Sequence, residues 1–523
     1  MSGPNTAVGR QSPAPLPPAP LRRRYFLGAG LAGTGLALTL PPPGWWPLGF
    51  LGLAVLARLA AGRPWRDRFV LGAVAGVVFF GVGLAWAGAF SLPGYGLLVV
   101  VEAGFLAAAL VAIPPGRGYL LGFPAALVLC EWARGRWPLG GLPLGGLALG
   151  QVGGPLAVTA ALAGALGVVA FLGLSAAGLA TLRSGGFRRC WGLAVLTVVG
   201  LAVVVAAGIP NGVGTGSVVV GLVQGGGPRG TRAVRSNPAL VLERHLAATD
   251  GLRPPVDLVL WPEDVLEVPG ALVTSTEAAP LAALARRLDT TLVAGVVEDA
   301  PGGRFRNAAV AFGPHGSVVD RYDKVRLVPF GEYLPARRLV AALADLSAVP
   351  RDALPGRGAG LLRTPAGRVG VVISYEVFFS DRARAAIRAG GSVLLVPTNA
   401  SSHTGSQVPA QELAAARLRA IETGRYVLQA APTGHSAVID PAGRVLAVTG
   451  LGNPAVLQRA VDLRSGATLY LRTGDGPIVG LSLLALGLAW VVDRRATAGA
   501  TVPAPPRRSM RGTRRRSPKL IQL

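Results

Sequence analysis

The chain has 523 residues, 51% of them hydrophobic and only 15% charged, yet its formal net charge is +25. A charged share so far below the roughly 25% of ordinary globular proteins argues against a wholly soluble chain, and two cysteines exclude a disulfide scaffold. The four histidines, at 245, 315, 403 and 435, have no metal-ligand spacing, so no metal or other cofactor is expected.

Residues 1–21 are rich in Pro and Arg and are expected to be disordered. Seven apolar runs follow, near 24–41, 45–62, 68–90, 93–114, 118–133, 156–182 and 190–209. They approach or exceed the ~20 residues of helix that cross a hydrocarbon core. Arg23-Arg24 before the first run resembles a twin-arginine export signal. No small-x-small cleavage site follows and six more runs do, so a first membrane helix with a basic flank is the preferred reading. Glu102 falls inside the fourth run, where a carboxylate is a proton-path candidate by default. With no partner evident, it is expected to be a structural or lipid-facing hydrogen bonder instead.

After residue 216 the pattern changes to short β-branched runs alternating with amphipathic helices. Strands are expected at 217–223, 257–261, 291–298, 307–312, 317–322, 368–373, 392–397, 426–430, 435–439 and 444–448, with helices at 238–249, 276–289, 380–389 and 407–423. The predicted architecture is a polytopic α-helical membrane region of seven helices at 22–210 and an α/β domain at 211–475. An eighth membrane helix at 476–494 and a basic, disordered tail at 495–523 complete it.

The charge follows this division. Residues 211–475 carry 27 Arg and one Lys against 22 Asp and Glu, whereas the rest carries 23 basic residues against four acids. With eight crossings, 21 of those 23 fall on one side and only Arg134 and Arg136 on the other. Because Lys and Arg in short loops stay cytoplasmic, both termini are expected in the cytoplasm and the α/β domain outside. The positive excess thus records topology in a bacterial cell membrane, and no nucleic-acid partner is expected.

Lysine is the sharpest compositional clue: against 49 Arg there are two Lys, and one of them, Lys519, lies in the tail. Lys324 is therefore singled out as a position that requires an amine, since arginine stays protonated whereas a lysine is a compact, tunable cation. The alternative is a salt bridge to Asp320 or Asp323. Further polar groups cluster where strands end, the usual place for sites in α/β sheets. These are Glu263 after Trp261-Pro262, Glu332 eight residues beyond Lys324, and Ser374-Tyr375-Glu376 after strand 368–373. Ser374 has a plain alternative as a helix cap.

Several segments together carry a resemblance: Trp261-Pro262-Glu263, Arg321-Tyr322-Asp323-Lys324, Leu327 through Pro335, Ile373-Ser374-Tyr375-Glu376, Asn399-Ala400, and Ala415 through Arg425. They resemble the nitrilase-type domain of apolipoprotein N-acyltransferases. Glu131-Trp132-Ala133-Arg134-Gly135 and the seven-plus-one helix plan fit that family as well. The resemblance implies an αββα sandwich and a ping-pong reaction. An acyl chain would pass from a membrane phospholipid to the enzyme, then to the α-amino group of a diacylglyceryl cysteine at an apolipoprotein N-terminus. It implies Glu263 as general base, Lys324 as oxyanion stabiliser, residue 374 as nucleophile, and Glu332, Glu376 and Tyr375 in support, in a monomer.

One position departs from the family: its nucleophile is cysteine, and here the matching residue is Ser374. Cys130 and Cys190 lie in the helical region, and 211–475 contains no cysteine. A serine hydroxyl is far harder to ionise than a thiol and needs a well-matched base. The readings left open are an acyltransferase working through a Ser374 ester, a weak or inactive relative that binds lipid or lipoprotein, and a membrane-tethered hydrolase. His403 is a candidate replacement base, although Ser374 lacks a Gly-x-Ser-x-Gly elbow.

Overall fold

The computed structural model describes residues 21–228, 237–272, 275–337 and 349–500; residues 1–20 and the tail beyond 500, both expected to be disordered, lie outside them. The N-terminal part is helical: α1 (Arg23–Thr39), α2 (Pro47–Ala60), α3 (Trp65–Gly83), α4 (Leu92–Ala112), α5 (Tyr119–Arg134), α6 (Ala160–Thr181) and α7 (Phe187–Gly208). Each forms where an apolar run predicts it. Among the described residues, four segments are long and apolar enough to cross a membrane: Leu92–Ala112, Pro155–Thr181, Phe187–Gly208 and Gly476–Ala496. α2 and α5 are shorter, at 14 and 16 residues.

Small residues let these helices close on one another. A Cβ added at Gly72 or Gly76 of α3 would lie 2.7 Å from Ala107 Cα or Ala103 Cα of α4, so these two helices touch backbone to backbone. The expectation that Glu102 has no partner is corrected. Its carboxylate accepts from Arg134 Nε at 2.7 Å, and both side chains are buried. Arg134 also reaches Glu131 at 3.4 Å and donates to Leu144 O at 2.7 Å. Burying one of these charges alone would cost several kcal/mol, so the pair is structural glue for α4 and α5.

The C-terminal half builds two sheets. One has the order β13 (Ala455–Ser465), β1 (Val213–Gln224), β2 (Leu258–Leu260), β4 (Thr291–Ala300), β5 (Arg304–Phe312), β6 (Val318–Asp323), with β3 (Leu266–Val268) beside β4. The other runs β12 (Val445–Val448), β11 (Ala437–Ile439), β10 (Val427–Ala430), β9 (Leu394–Pro397), β8 (Gly367–Val371), β7 (Leu361–Thr364). Val220, Leu222, Leu260 and Ala309 from the first sheet pack with Val369, Val371, Leu395 and Leu428 from the second, forming a dry core between them. The outer face of the first sheet, through Val259, Trp261 and Leu292, packs with the helical segments α8 (Pro238–Thr249) and α9 (Ala279–Leu288). The second sheet is covered by α10 (Ser380–Arg388) and α11 (Val408–Thr423). The result is the four-layer αββα sandwich that the resemblance implies, and α12 (Gly476–Ala500) leads out of it.

Three strands were not expected: β3, β7 and β13. β13 pairs antiparallel with β1 from Val213↔Ser465 to Gln224↔Ala455, so the last strand of the domain closes beside its first.

The domain is fastened to the helices at α11 and at the loop after α5. Gln411 of α11 donates Nε2 to Gly83 O at 3.0 Å and accepts from Gly145 N at 2.9 Å. α6 is interrupted at Ala163 and Gly164, where φ of Gly164 is +68°. Ala165 N, freed by that interruption, donates to Glu422 Oε1 of α11 at 2.8 Å. A Cβ at Gly164 would lie 2.5 Å from the Tyr470 ring, so this junction needs glycine both for its dihedral and for its space.

Candidate active site

β2 is followed by the fully buried Trp261, whose Nε1 donates to Thr249 Oγ1 at 3.1 Å, and the chain then turns through Pro262 to Glu263, 3% exposed. Gly295 of β4 backs this turn: a Cβ there would fall 2.4 Å from Glu263 Cα. The position of Glu263 is therefore set by backbone pressed against backbone.

Lys324 directly follows β6, and its N donates to Asn307 O on β5 at 2.9 Å. Its Nζ donates to Glu263 Oε1 at 2.8 Å and to Glu332 Oε1 at 3.0 Å. Asn307 Nδ2 donates to the same two carboxylates, at 2.7 and 3.0 Å. Glu332 also accepts from Val328 N at 2.7 Å. The alternative pairing of Lys324 with Asp320 or Asp323 does not form; Asp323 accepts from Arg321 at 2.6 Å.

Burial pushes the Glu263 carboxyl above the ordinary carboxylate value, opposed by Lys324 and reinforced by Glu332. Burial alone favours a neutral Lys324 amine, but Glu263 and Glu332 outweigh it and hold the ammonium well above the usual lysine value. The neighbouring Asp264 is also driven upward, by burial and then by the Glu263 charge.

Ser374 opens a 3-10 turn, Ser374–Phe378, shortly after β8. Its φ is +48°, a left-handed conformation that a non-glycine residue adopts only when its surroundings impose it. It is half-buried, its side chain makes no helix cap, and its Oγ accepts from Thr398 Oγ1 at 3.2 Å. A sharp strand-to-turn corner thus exists without the Gly-x-Ser-x-Gly pattern.

Glu376 imposes that corner. Its carboxylate accepts from Ile373 N (2.9 Å), Val325 N (2.9 Å), Arg326 N (3.0 Å) and Tyr322 OH (2.8 Å), and it is fully buried. One side chain therefore ties the residues after Lys324 to the residue before Ser374. Tyr375 points the other way, donating its hydroxyl to Gly141 O of the helical part at 2.8 Å.

Residues 32–178 match the family described as apolipoprotein N-acyltransferase N-terminal domain, and residues 220–469 match carbon-nitrogen hydrolase. The apolipoprotein N-acyltransferase of Geobacter metallireducens is 30% identical over 493 residues, covering 87% of this chain and 92% of that protein. The chain belongs to the apolipoprotein N-acyltransferase family. The family's member from Caulobacter vibrioides is 31% identical, with 91% of this chain and 96% of that one covered. The member from Mycolicibacterium smegmatis is also 31% identical, with coverage of 88% and 83%. Among solved structures, Saccharomyces cerevisiae Nit3, of the nitrilase superfamily, is similar at 23% identity and a TM-score of 0.37, covering 48% of this chain and 91% of that one.

The structure brings Glu263, Lys324 and Glu332 together; Glu376 holds the backbone before residue 374, and Tyr375 reaches Gly141 of the helical part. His403 does not serve Ser374 in this structure: its ring packs against Trp86 and Phe90, 5.1 and 5.0 Å away, and burial lowers it to about 4. Asn307, Thr398 and Glu412 were missed. An Asn inside a strand reads as an interruption, and a Glu in an amphipathic helix reads as a solvated face, so neither carries a sequence signal. A cavity of about 90 Å³ lies where α5, α6 and α11 meet, but its lining includes neither Lys324 nor Ser374.

Proposed function

We propose that this chain transfers an acyl chain from a membrane phospholipid to the N-terminal diacylglyceryl cysteine of apolipoproteins, with Ser374 carrying the acyl group between the two half-reactions. The observations that support this best are the hydrogen-bonded cluster of Glu263, Glu332, Asn307 and Lys324 and a left-handed Ser374 at a strand-to-turn corner, joined through Thr398 to Glu412, whose carboxyl feels the Glu263 and Lys324 charges. Lys324 stabilises the oxyanion as the donor ester is attacked, and Glu263 acts as base and acid for the reacting lipids. Glu332 holds Lys324 in place. A preorganised donor of this kind is worth ~3–4 kcal/mol in comparable sites.

The same reading places eight helices, α1 to α7 and α12, across a bacterial cell membrane, with residues 211–475 outside and both termini in the cytoplasm. The interruption of α6 and the loop after α5 contact the catalytic domain through Ala165–Glu422 and Gly141–Tyr375, and on this reading the membrane helices around the site admit donor and acceptor laterally. The protein works as a monomer.

Intact-mass measurement of the purified protein with phospholipid tests the function. An acyl adduct that maps to Ser374 and disappears in Ser374→Ala is expected, followed by transfer to a diacylglyceryl peptide. Release of free fatty acid without peptide acylation would instead identify a hydrolase, and no adduct in either wild type or Ser374→Cys would overturn the reading.

A further inference from the structure

Among the described residues, the side-chain hydrogen bond at Ser374 Oγ comes from Thr398, not from Glu263. Glu263 Oε1 accepts from both Lys324 and Asn307. Thr398 follows β9 and is fully buried; its Oγ1 also hydrogen-bonds Glu412 Oε1, on α11. Glu412 is 3% exposed, and its second oxygen, Oε2, has no hydrogen-bond partner among the described residues. A hydroxyl carries one proton, so Thr398 serves one acceptor at a time. When Glu412 is ionised, that proton lies toward the carboxylate and the Ser374 hydroxyl donates to Thr398. We propose that Ser374 is activated through this chain, Ser374–Thr398–Glu412, a proton relay separate from Glu263.

The inference rests on Ser374 being the acyl carrier. In the first half-reaction the Ser374 proton moves to Thr398 Oγ1 as Thr398 gives its own to Glu412. The Ser374 Oγ–acyl bond forms, the donor's ester C–O bond breaks, and the departing glycerol oxygen takes a proton from Glu263, while Glu412 keeps the one that came from Ser374. In the second, the acceptor amine attacks the acyl carbon and gives its proton to Glu263, the bond to Ser374 Oγ breaks, and that oxygen takes back the proton held on Glu412 through Thr398. A serine needs such help where a thiol, with a free value near 8.5, does not.

The charges that face Glu412 are Glu263, after β2, and Lys324, after β6; the first raises and the second lowers its carboxyl. Burial is the largest influence, and together they bring Glu412 to about 7, the range in which a base serves best near neutral pH. Thr398 and Glu412 act through one another and are positioning residues for the nucleophile.

The test measures the rate of adduct formation on full-length protein in phosphatidylethanolamine vesicles between pH 5.5 and 9. With serine at 374, Glu412→Gln and Thr398→Val are each expected to slow acylation by about 100-fold, the usual scale of acid–base assistance. The double variant should lose no more than either alone, as for groups that act as a unit. The wild-type rate should rise with pH through about 7, and Glu412→Gln should abolish that inflection. In a Ser374→Cys background the same substitutions should cost less than about 5-fold, because the thiolate forms without the relay. Equal losses in both backgrounds would mark a packing role and overturn the proposal. Undiminished acylation in Glu412→Gln, or an adduct from Ser374→Cys but none from wild type, would overturn it too. Failure of the underlying reading looks different: an adduct that persists in Ser374→Ala, or none with either nucleophile, removes the relay together with its basis.

Discussion

Lys324 sits between two carboxylates with an amide from Asn307 bridging the same pair, so its three donors are largely committed before any substrate arrives. A planar guanidinium cannot take the place of this compact ammonium. Lys324→Arg is therefore expected to lose nearly as much as Lys324→Ala, about 10²- to 10³-fold in acylation rate, a comparison single-turnover mass measurements make directly. Glu412 carries an opposite signature in stability. Its folded value is raised to about 7, so its contribution is full at low pH and is lost as pH rises through that value. Glu412→Gln should consequently melt higher than wild type at pH 8 and gain little at pH 5, by up to the order of 3 kcal/mol if the whole shift is expressed. Lys324 was legible because composition isolates it. Thr398 and Glu412 were not, because their meaning lies in a contact between the end of a strand and the face of a helix.

At the scale of elements, the site hangs on tight junctions. Gly295 lets the Glu263 turn press on β4, and Gly295→Ala should push that turn outward, reducing acylation at least 10-fold while costing on the order of 1–3 kcal/mol in stability, the range for overpacked sites. Circular dichroism melts beside rate measurements separate the two effects. The Ala165–Glu422 bond caps the second half of α6 from outside the bundle. Glu422→Gln should loosen that end, read as faster amide exchange at 163–168. Most strands and helices were visible in the alternation of apolar residues. β13 escaped because Gln458, Arg459, Asp462 and Arg464 dilute its apolar face, and only pairing with β1 makes it a strand. The left-handed dihedral of Ser374 had no sequence signal, since Glu376 enforces it through space.

Over the whole molecule, the basic residues predict one orientation. In intact cells of a Cys190→Ala protein, a cysteine introduced at Gly302 should react with a membrane-impermeant maleimide, and one at Gly185 only after permeabilisation; the reverse pattern would invert the topology. The seam between the two halves carries a further consequence. Arg326, two residues past Lys324, donates to Gly140 O at 3.2 Å, and Tyr375, one past Ser374, donates to Gly141 O at 2.8 Å. Lys324 and Ser374 thus each have a near neighbour in the chain moored to adjacent carbonyls of one loop. A centre moored in this way does not swing between donor and acceptor, so the lipids must change places in front of it. Turnover should then be governed by how fast lysophospholipid drifts away in the plane of the bilayer, and should track membrane fluidity more closely than the viscosity of the surrounding water.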